Sequence, residues 1–221
     1  MSDEYSGEVF VGGPVGVREL AHATIAKLAV GRMSNNAYLI RCRATGEALL
    51  IDAADEPSKI ASLAVLGGGP PSSILTTHQH PDHWQALAAT VAQTGARTLA
   101  GDADADAIPV ATDRRLRHGE RLHIGGLEFA VIGLRGHTPG SIALFYDDSD
   151  GHGHLFTGDS LFPGGVGKTW KPADFTSLID DIESRIFDVY PDDTWFYPGH
   201  GNDSTLGAER PSLPEWRQRG W

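Results

Sequence analysis

The sequence predicts an α+β fold in which two β-sheets pack face to face and helices cover their outer faces. Two observations support this prediction. Short runs of β-branched and aliphatic residues alternate with glycine-containing turns, and helix-like segments follow the strands in both halves of the chain. No linker rich in proline, glycine or serine separates the halves. We therefore expect residues 1–221 to form a single domain with a short polar C-terminal tail at residues 202–221.

The first half of the chain predicts three antiparallel strands, followed by two further strands that alternate with helices. The segment at residues 57–66 favours a helix because Pro57 suits a first helical turn, and the glycines at 67–69 end it. The predicted strands cover residues 22–30, 37–42, 48–52, 73–77 and 98–101, and the predicted helices cover residues 57–66 and 84–93.

The second half repeats this plan. Gly125 and Gly126 indicate a hairpin between two strands. Apolar residues at helical spacing, such as Leu178 and Ile182, predict a helix at residues 175–187. In the tail, Trp216 and Trp221 are expected to anchor the chain to the surface. The predicted strands cover residues 121–124, 127–134, 141–146, 154–157 and 194–197.

The formal charge of −11 argues against a nucleic-acid-binding protein, because phosphate backbones are bound by clustered lysine and arginine. The one short basic cluster, residues 114–117, is predicted to be a solvated loop. We expect a small-molecule substrate rather than a nucleic acid. No pattern in the sequence predicts an oligomeric state.

The composition also favours a soluble cytoplasmic protein. Cys42 is the only cysteine, so no intrachain disulfide can form, and a packed structural thiol in a reducing compartment is the natural interpretation. Residues 1–4 are acidic and lack the apolar core of a signal peptide. No run of residues reaches the roughly 18–20 apolar positions of a membrane span, so no membrane association is expected.

Seven side chains that bind metals lie at the ends of the strand-like runs. Imidazole and carboxylate without thiolate suit zinc, iron or manganese. Seven such groups exceed the needs of one ion and predict two divalent transition metal ions that share a bridging carboxylate. Such a pair generates hydroxide near neutral pH and polarises a carbonyl. The seven residues are His78, His80, Asp82, His83, His137, Asp159 and His200.

The local sequence predicts how these side chains divide. His78 and His80 are two residues apart, so both can point to the same side of an extended loop and bind one ion. Asp82 and His83 follow Pro81 at the start of a predicted helix and are placed for a second ion. The remaining three ligands each neighbour a glycine, which allows turns and a close approach of backbone.

The motif His-Gln-His-Pro-Asp-His at residues 78–83, followed by His137, Asp159 and His200, resembles the metallo-β-lactamase superfamily. The resemblance extends from about residue 31 to residue 200. It implies an αββα sandwich of two mixed β-sheets with helices on the outer faces. It also implies a ligand set: one metal held by His78, His80 and His137, a second by Asp82, His83 and His200, and a bridge formed by Asp159.

Within the superfamily the motifs are similar to the glyoxalase II-like hydrolases. True β-lactamases usually carry cysteine where this chain has Asp159, and Cys42 is far from every motif. The resemblance implies hydrolysis of a thioester or related ester through a metal-bridging hydroxide, with Asp82 as the catalytic residue that orients it. Zinc is the expected metal, with iron and manganese as alternatives. Residues 201–221 are too few for the basic helical extension that binds glutathione, so hydrolysis is better supported than glutathione recognition.

Two other activities stay open at this point. Iron-dependent persulfide dioxygenases share the fold and resemble this chain at their iron ligands, but residues 165–168 read Gly-Val-Gly-Lys where Gly-Cys-Gly-Arg is usual. Lactonases also occur in the superfamily. A non-catalytic binding protein is disfavoured because no ligand is missing.

The remaining motifs provide no predicted metal ligand. The segment at residues 164–169 lacks the full spacing of a phosphate-binding loop and is predicted to form a wall of the active site, from which Lys168 and Trp170 contact substrate. Five other histidines are interpreted as structural: His22, His118, His123, His152 and His154.

Overall fold

The computed structural model describes residues 5–149 and 151–220. The predictions made for residues 1–4 and for Trp221 fall outside this part of the chain. The first sheet has seven strands in the order β1 to β7. Its strands and the two helices between them are β1 Gly16–Glu19, β2 Ala23–Val30, β3 Asn35–Cys42, β4 Ala48–Ile51, α1 Pro57–Ala64, β5 Ser73–Thr76, α2 Leu87–Thr94, β6 Arg97–Gly101 and β7 Arg114–Leu116.

The second sheet has six strands in the order β15-β14-β11-β10-β9-β8, and β12 with β13 forms a separate hairpin. The elements of this half are β8 Arg121–Ile124, β9 Leu127–Gly133, β10 Ile142–Asp147, β11 Gly153–Gly158, β12 Leu161–Phe162, β13 Gly165–Val166, α3 Pro172–Ile182, β14 Trp195–Pro198, β15 Ser204–Thr205, α4 Leu206–Glu209 and α5 Leu213–Arg219. A π-helix, Glu183–Phe187, continues α3.

Both sheets are mixed. Strands β1 to β4 pair antiparallel and β4 to β7 pair parallel. In the second sheet, β11 and β14 are parallel neighbours, and the other pairs are antiparallel. The predicted antiparallel arrangement of the first three strands is confirmed for β2, β3 and β4. The predicted hairpin at Gly125 and Gly126 is confirmed as well.

Three apolar clusters define four layers. One cluster lies between the two sheets and includes Ile40 and Phe129, both with no exposed surface. A second packs α1 and α2 against the first sheet, and a third packs α3 and α5 against the second sheet. This arrangement confirms the α+β sandwich with helices on the outer faces. That residues 1–221 form a single domain remains a prediction.

Two sequence predictions were wrong in detail. The basic run at residues 114–117 was expected to be a solvated loop, but Arg114–Leu116 is edge strand β7, because its backbone pairs with β6 while Leu116 is buried. The helix expected at residues 84–93 begins at Leu87, since residues 81–83 form a separate 3₁₀ turn. The anchoring role expected for Trp216 is confirmed, because its side chain is 1% exposed and packs edge-on against Phe187.

The helices of the described chain, residues 5–149 and 151–220, are all too short or too polar to cross a membrane. The helices cover the sheets, and the predicted metal ligands lie at or near the ends of strands.

Candidate metal centre

Parallel strands bring the predicted ligands to one edge of the sandwich. Strands β4 and β5 run parallel, and so do β11 and β14, so the carboxyl ends of each pair meet at the same side. The loop that carries His78 to His83 follows β5. Asp159 follows β11 directly, and His200 comes two residues after β14 ends. Six of the seven residues therefore reach the site from short loops that begin at these strand ends, and His137 comes from the loop that follows β9.

The structure brings His78, His80 and His137 together as one group, in which the three candidate ligand atoms lie within 4.8 Å of one another. Nδ1 of His80 lies 2.9 Å from Nε2 of His137. His78 has no exposed surface, and its Nε2 atom has no hydrogen-bond partner among the described residues. A buried nitrogen without a partner is costly unless a ligand engages it.

Asp82, His83 and His200 form a second group with the same spacing. Oδ2 of Asp82 lies 3.4 Å from Nε2 of His83 and 3.4 Å from Nε2 of His200. Asn35 adds a hydrogen bond, because its Nδ2 donates to the same carboxylate oxygen at 2.9 Å. This bond fixes the rotamer of Asp82 from the first residue of β3.

Asp159 lies between the two groups. Its Oδ1 atom is 3.4 Å from Nε2 of His83, and its Oδ2 atom is 3.4 Å from Nε2 of His200 and 3.8 Å from Nε2 of His137. One carboxylate thus faces histidines of both groups. Its Oδ1 atom is buried and accepts no hydrogen bond in the described chain.

The outer ring nitrogens of four histidines are held by oxygen atoms of the protein. Each Nδ1 donates outward, which leaves Nε2 directed at the centre with a lone pair. The bonds run from His78 to Thr77 Oγ1 at 3.0 Å, from His83 to Asp52 Oδ2 at 2.8 Å, from His137 to the Lys168 carbonyl at 2.8 Å, and from His200 to the Met33 carbonyl at 2.9 Å. Orientation of this kind is typical of metal-binding histidines.

Electrostatics at the centre favour a bound cation. Burial disfavours charge on His78 and lowers its pKa well below the ordinary value. Burial alone would raise the pKa of Asp159, but contacts with His200 and His83 outweigh it and hold that pKa well below the usual range. Burial opposes a proton on His200, yet Asp159 and Asp82 raise its pKa to about 9. A concentration of carboxylate charge therefore attracts protons here, and a divalent cation would compete for the same lone pairs.

The donor atoms and the space around them suit a pair of metal ions. The donor set is imidazole and carboxylate, and two buried donor atoms, Nε2 of His78 and Oδ1 of Asp159, have no hydrogen-bond partner in the described chain. Glycine keeps space clear beside them: a Cβ atom on Gly199 would collide with Oδ1 of Asp159 and lie 2.8 Å from Cε1 of His83. The residues of the two ligand groups therefore fit a pair of metal ions.

Two aspartates that the sequence analysis did not single out support the loops of the site. Asp52 accepts hydrogen bonds from the backbone N–H and the hydroxyl of Thr77, both at 2.8 Å, as well as from His83. The signal for Asp52 was present, since it directly follows a strand as the ligands do.

The buried carboxylate of Asp104 joins two ligand loops. It accepts from the backbone N–H of Gln79 at 3.0 Å and of Gly140 at 2.7 Å, and from the hydroxyl of Thr138 at 2.5 Å. No sequence pattern distinguishes Asp104 from its neighbouring aspartates, so only the fold reveals it.

The two predicted substrate contacts lie beside the first group. The Trp170 ring is nearly parallel to the ring of His80, with 6.3 Å between centroids, and it is 63% exposed. Nζ of Lys168 lies 4.7 Å from the centre of the Trp170 ring. The five histidines interpreted as structural belong to neither ligand group.

The model of the metallo-beta-lactamase superfamily matches residues 30–200. The hydroxyacylglutathione hydrolase of Fuscovulum blasticum is 35% identical over 168 residues, which cover 75% of this chain and 62% of the relative. The chain therefore spans about three fifths of the length of that relative.

Solved structures share the fold. BLEG-1 B3 metallo-beta-lactamase has a TM-score of 0.75 and 26% identity, covering 87% of this chain and 99% of that one. TTHA1623, solved in a di-iron-bound form, has a TM-score of 0.69 and 33% identity, covering 86% of this chain and 98% of that one.

Proposed function

The chain belongs to the metallo-beta-lactamase superfamily, and we propose that it is a metal-dependent hydrolase of thioesters or related esters. The observation that carries the proposal is the position of Asp159 between two groups of three candidate ligands. Relatives named hydroxyacylglutathione hydrolase, which act on thioesters by name, support the substrate class.

The proposed centre contains two divalent ions. One is held by His78, His80 and His137, and the other by Asp82, His83 and His200, with Asp159 between them. Zinc, iron and manganese all suit this donor set, and zinc is the metal we propose first. A similar protein has been solved in a di-iron-bound form, which supports a pair of ions and leaves iron as the main alternative.

The ions would supply a nucleophilic hydroxide near neutral pH and polarise the substrate carbonyl. Two aspartate side chains would assist the reaction. Asp82, whose Oδ2 atom is fixed by Asn35, would orient the attacking hydroxide. Asp159 would neutralise charge between the two ion sites. A thiolate leaving group needs little protonation, so the reaction does not depend on a further general acid.

Lys168 and Trp170 are proposed to contact the substrate at the side of His80 and His137. The exposed indole offers a flat apolar surface, and the ammonium group beside it offers a positive charge. These contacts suit a small-molecule thioester. A cytoplasmic location stays a prediction, in keeping with the free, buried thiol of Cys42.

The test is metal analysis together with a substrate panel. Protein loaded with zinc, manganese or iron is assayed for kcat/KM on a hydroxyacylglutathione, a simple thioester, a lactone and a β-lactam. We expect thioester hydrolysis with only modest preference for the glutathione derivative, and negligible β-lactam turnover. Efficient β-lactam or lactone cleavage, or oxygen uptake on a persulfide without thioester hydrolysis, would assign the chain to another activity of the superfamily.

A variant of Asp159 tests the two-ion arrangement. Asp159→Asn keeps the shape of the side chain but removes its charge, so metal content should fall from about two equivalents and turnover should drop strongly. The exposed Asp188, which follows the π-helix, provides a control as Asp188→Asn, which should retain both properties. Wild-type metal content and kcat in Asp159→Asn would reduce Asp159 to a turn residue.

A further inference from the structure

The turn between β2 and β3 is fixed at the rim of the metal centre. The backbone N–H of Gly31 donates to Oε2 of Glu56 at 3.0 Å, and the N–H of Ser34 donates to the carbonyl of Gly31 at 3.3 Å. The carbonyl of Met33 accepts the Nδ1 proton of His200 at 2.9 Å. The turn is thus bonded both to a helix N-terminus and to a candidate metal ligand, and its side chains project from a defined backbone.

Arg32 and Met33 extend from this turn into solvent, and Met33 is 62% exposed. Both line a cavity of about 390 Å³ that opens directly onto the second ligand group. The cavity is lined by Arg32, Met33, Asn35, Asp55, Asp82 and Gln85. Its lining combines the apolar surface of Met33 and the guanidinium of Arg32 with two carboxylates, of Asp55 and of Asp82.

The guanidinium group of Arg32 is not paired with either of these carboxylates. Within residues 5–149 and 151–220 it forms no hydrogen bond and no ion pair, whereas Arg115 and Arg217 each bind carboxylates. An exposed arginine is usually just solvated. Arg32 is distinguished by its position, because it is the cationic side chain in the lining of the cavity that also contains Asp82. The chain as a whole has a net charge of −11, so Arg32 places a positive charge on a protein that is negative overall.

We propose that Arg32 is a specificity-determining residue that binds a carboxylate of the substrate, while Met33 contacts an adjoining apolar segment. This inference rests on the proposed thioester hydrolysis and defines its substrate class as anionic thioesters. Guanidinium suits the task because its parallel N–H groups match the two oxygens of a carboxylate. The carboxylate belongs either to the acyl part or to the thiol part of the thioester, and substrate pairs distinguish the two sources.

Two matched pairs serve as probes. The acyl pair is the succinyl and butyryl thioesters of N-acetylcysteamine, and the thiol pair is the acetyl thioesters of mercaptopropionate and propanethiol. For each pair, kcat/KM is measured on the metal-loaded full chain, and the ratio of the charged to the neutral substrate is compared between wild type, Arg32→Gln and Arg32→Lys. Arg97→Gln is the charge-matched control. Arg97 is also exposed and without a bonded partner in the described chain, but it begins β6 at the end far from the site.

Arg32→Gln should lower the charged-to-neutral ratio of kcat/KM for one pair about fivefold, which is the effect expected from losing an exposed ion pair. Added salt should lower the same ratio in the wild-type protein. Arg32→Lys should retain part of the ratio, and Arg97→Gln all of it. A lower ratio for the acyl pair in Arg32→Gln assigns the recognised carboxylate to the acyl group, and a lower ratio for the thiol pair assigns it to the thiol. Equal ratios in wild type and Arg32→Gln for both pairs overturn the proposal.

A binding measurement separates this inference from the proposed function. The thioether analogues of the same probes, in which a methylene replaces the carbonyl, cannot be hydrolysed, and their binding is followed by calorimetry. If no thioester is hydrolysed, the proposed function fails. Tighter binding of the charged analogue that depends on Arg32 still supports anion recognition, and equal binding in wild type and Arg32→Gln overturns it.

Discussion

Oδ2 of Asp52 lies 2.8 Å from Nδ1 of His83, and both side chains are fully enclosed by the protein. The same carboxylate accepts the backbone N–H and the hydroxyl of Thr77, the residue before the first candidate ligand. Asp52 holds this position at a φ of 56°, a conformation in which asparagine and aspartate are among the tolerated residues. One side chain therefore orients a histidine and the start of the ligand loop.

Asp52→Asn should weaken metal binding at the group that contains His83. The amide retains the backbone conformation but is a weaker acceptor for Nδ1, and loss of such a partner typically reduces metal affinity by about 10–100-fold. Competition with a chromophoric chelator measures the change. Asp113→Asn is the control, because Asp113 also accepts a strand N–H, from Thr98, but far from the centre. Equal affinities in wild type and Asp52→Asn would show that His83 needs no support from Asp52.

Gly199→Ala should disrupt the centre while the fold persists. The added methyl group would collide with Oδ1 of Asp159 and press against His83, so the carboxylate must move. We expect reduced metal content by elemental analysis with an unchanged far-ultraviolet circular dichroism spectrum. Gly69→Ala, where no atom lies within 4 Å of the added group, is the matched control. Full metal occupancy in Gly199→Ala would mean that Asp159 can leave its position at no cost.

Removing the ammonium group of Lys27 should destabilise the protein. Lys27 has no exposed surface, and its Nζ atom donates to Asp203 at 2.7 Å and to the carbonyls of Gly7 and Gly201. Lys27→Met leaves a buried carboxylate without its cation, which costs about 3 kcal/mol of unfolding free energy. Urea denaturation measures the loss. The double variant with Asp203→Asn should recover part of it, and a double variant less stable than Lys27→Met would contradict this account.

His154 should make the protein less stable in mild acid. Burial and the adjacent Arg18 guanidinium lower the pKa of His154 to about 3, and the aromatic rings of Tyr146, Tyr197 and His152 enclose it. Between pH 6.5 and pH 3 the unfolded chain binds a proton that the folded chain excludes, so stability falls as the pH falls through this window.

The variant His154→Gln tests this dependence on apoprotein prepared with a chelator. The free energy of unfolding should fall less steeply with pH than in wild type, by about 1–3 kcal/mol over the window, with parallel curves above pH 7. Identical slopes in the acid range would assign the acid sensitivity to other groups.

The sequence predicted ten of the fifteen strands of the described chain, and the seven residues of the candidate centre, because both leave local signals. Apolar runs ended by glycine turns mark the strands, and polar residues directly after those runs mark the site. Asp104 could not be predicted, since its partners Gln79 and Gly140 become neighbours only after folding. Strand β7 was missed because its stability comes from backbone pairing with β6, to which the charged side chains of Arg114 and Arg115 give no clue.

The shared direction of β4, β5, β11 and β14 also divides the molecule into two ends with different tolerance for change. At the end opposite the ligands, the β3–β4 and β8–β9 connections touch each other through Gly126 and Cys42 and contain no candidate ligand. We expect an insertion there to disturb the local contact between the two connections but not the strand ends at the metal centre. We therefore expect insertions to disturb the metal centre less at this end than in the turn of Arg32 and Met33, whose backbone is bonded to Glu56 and His200.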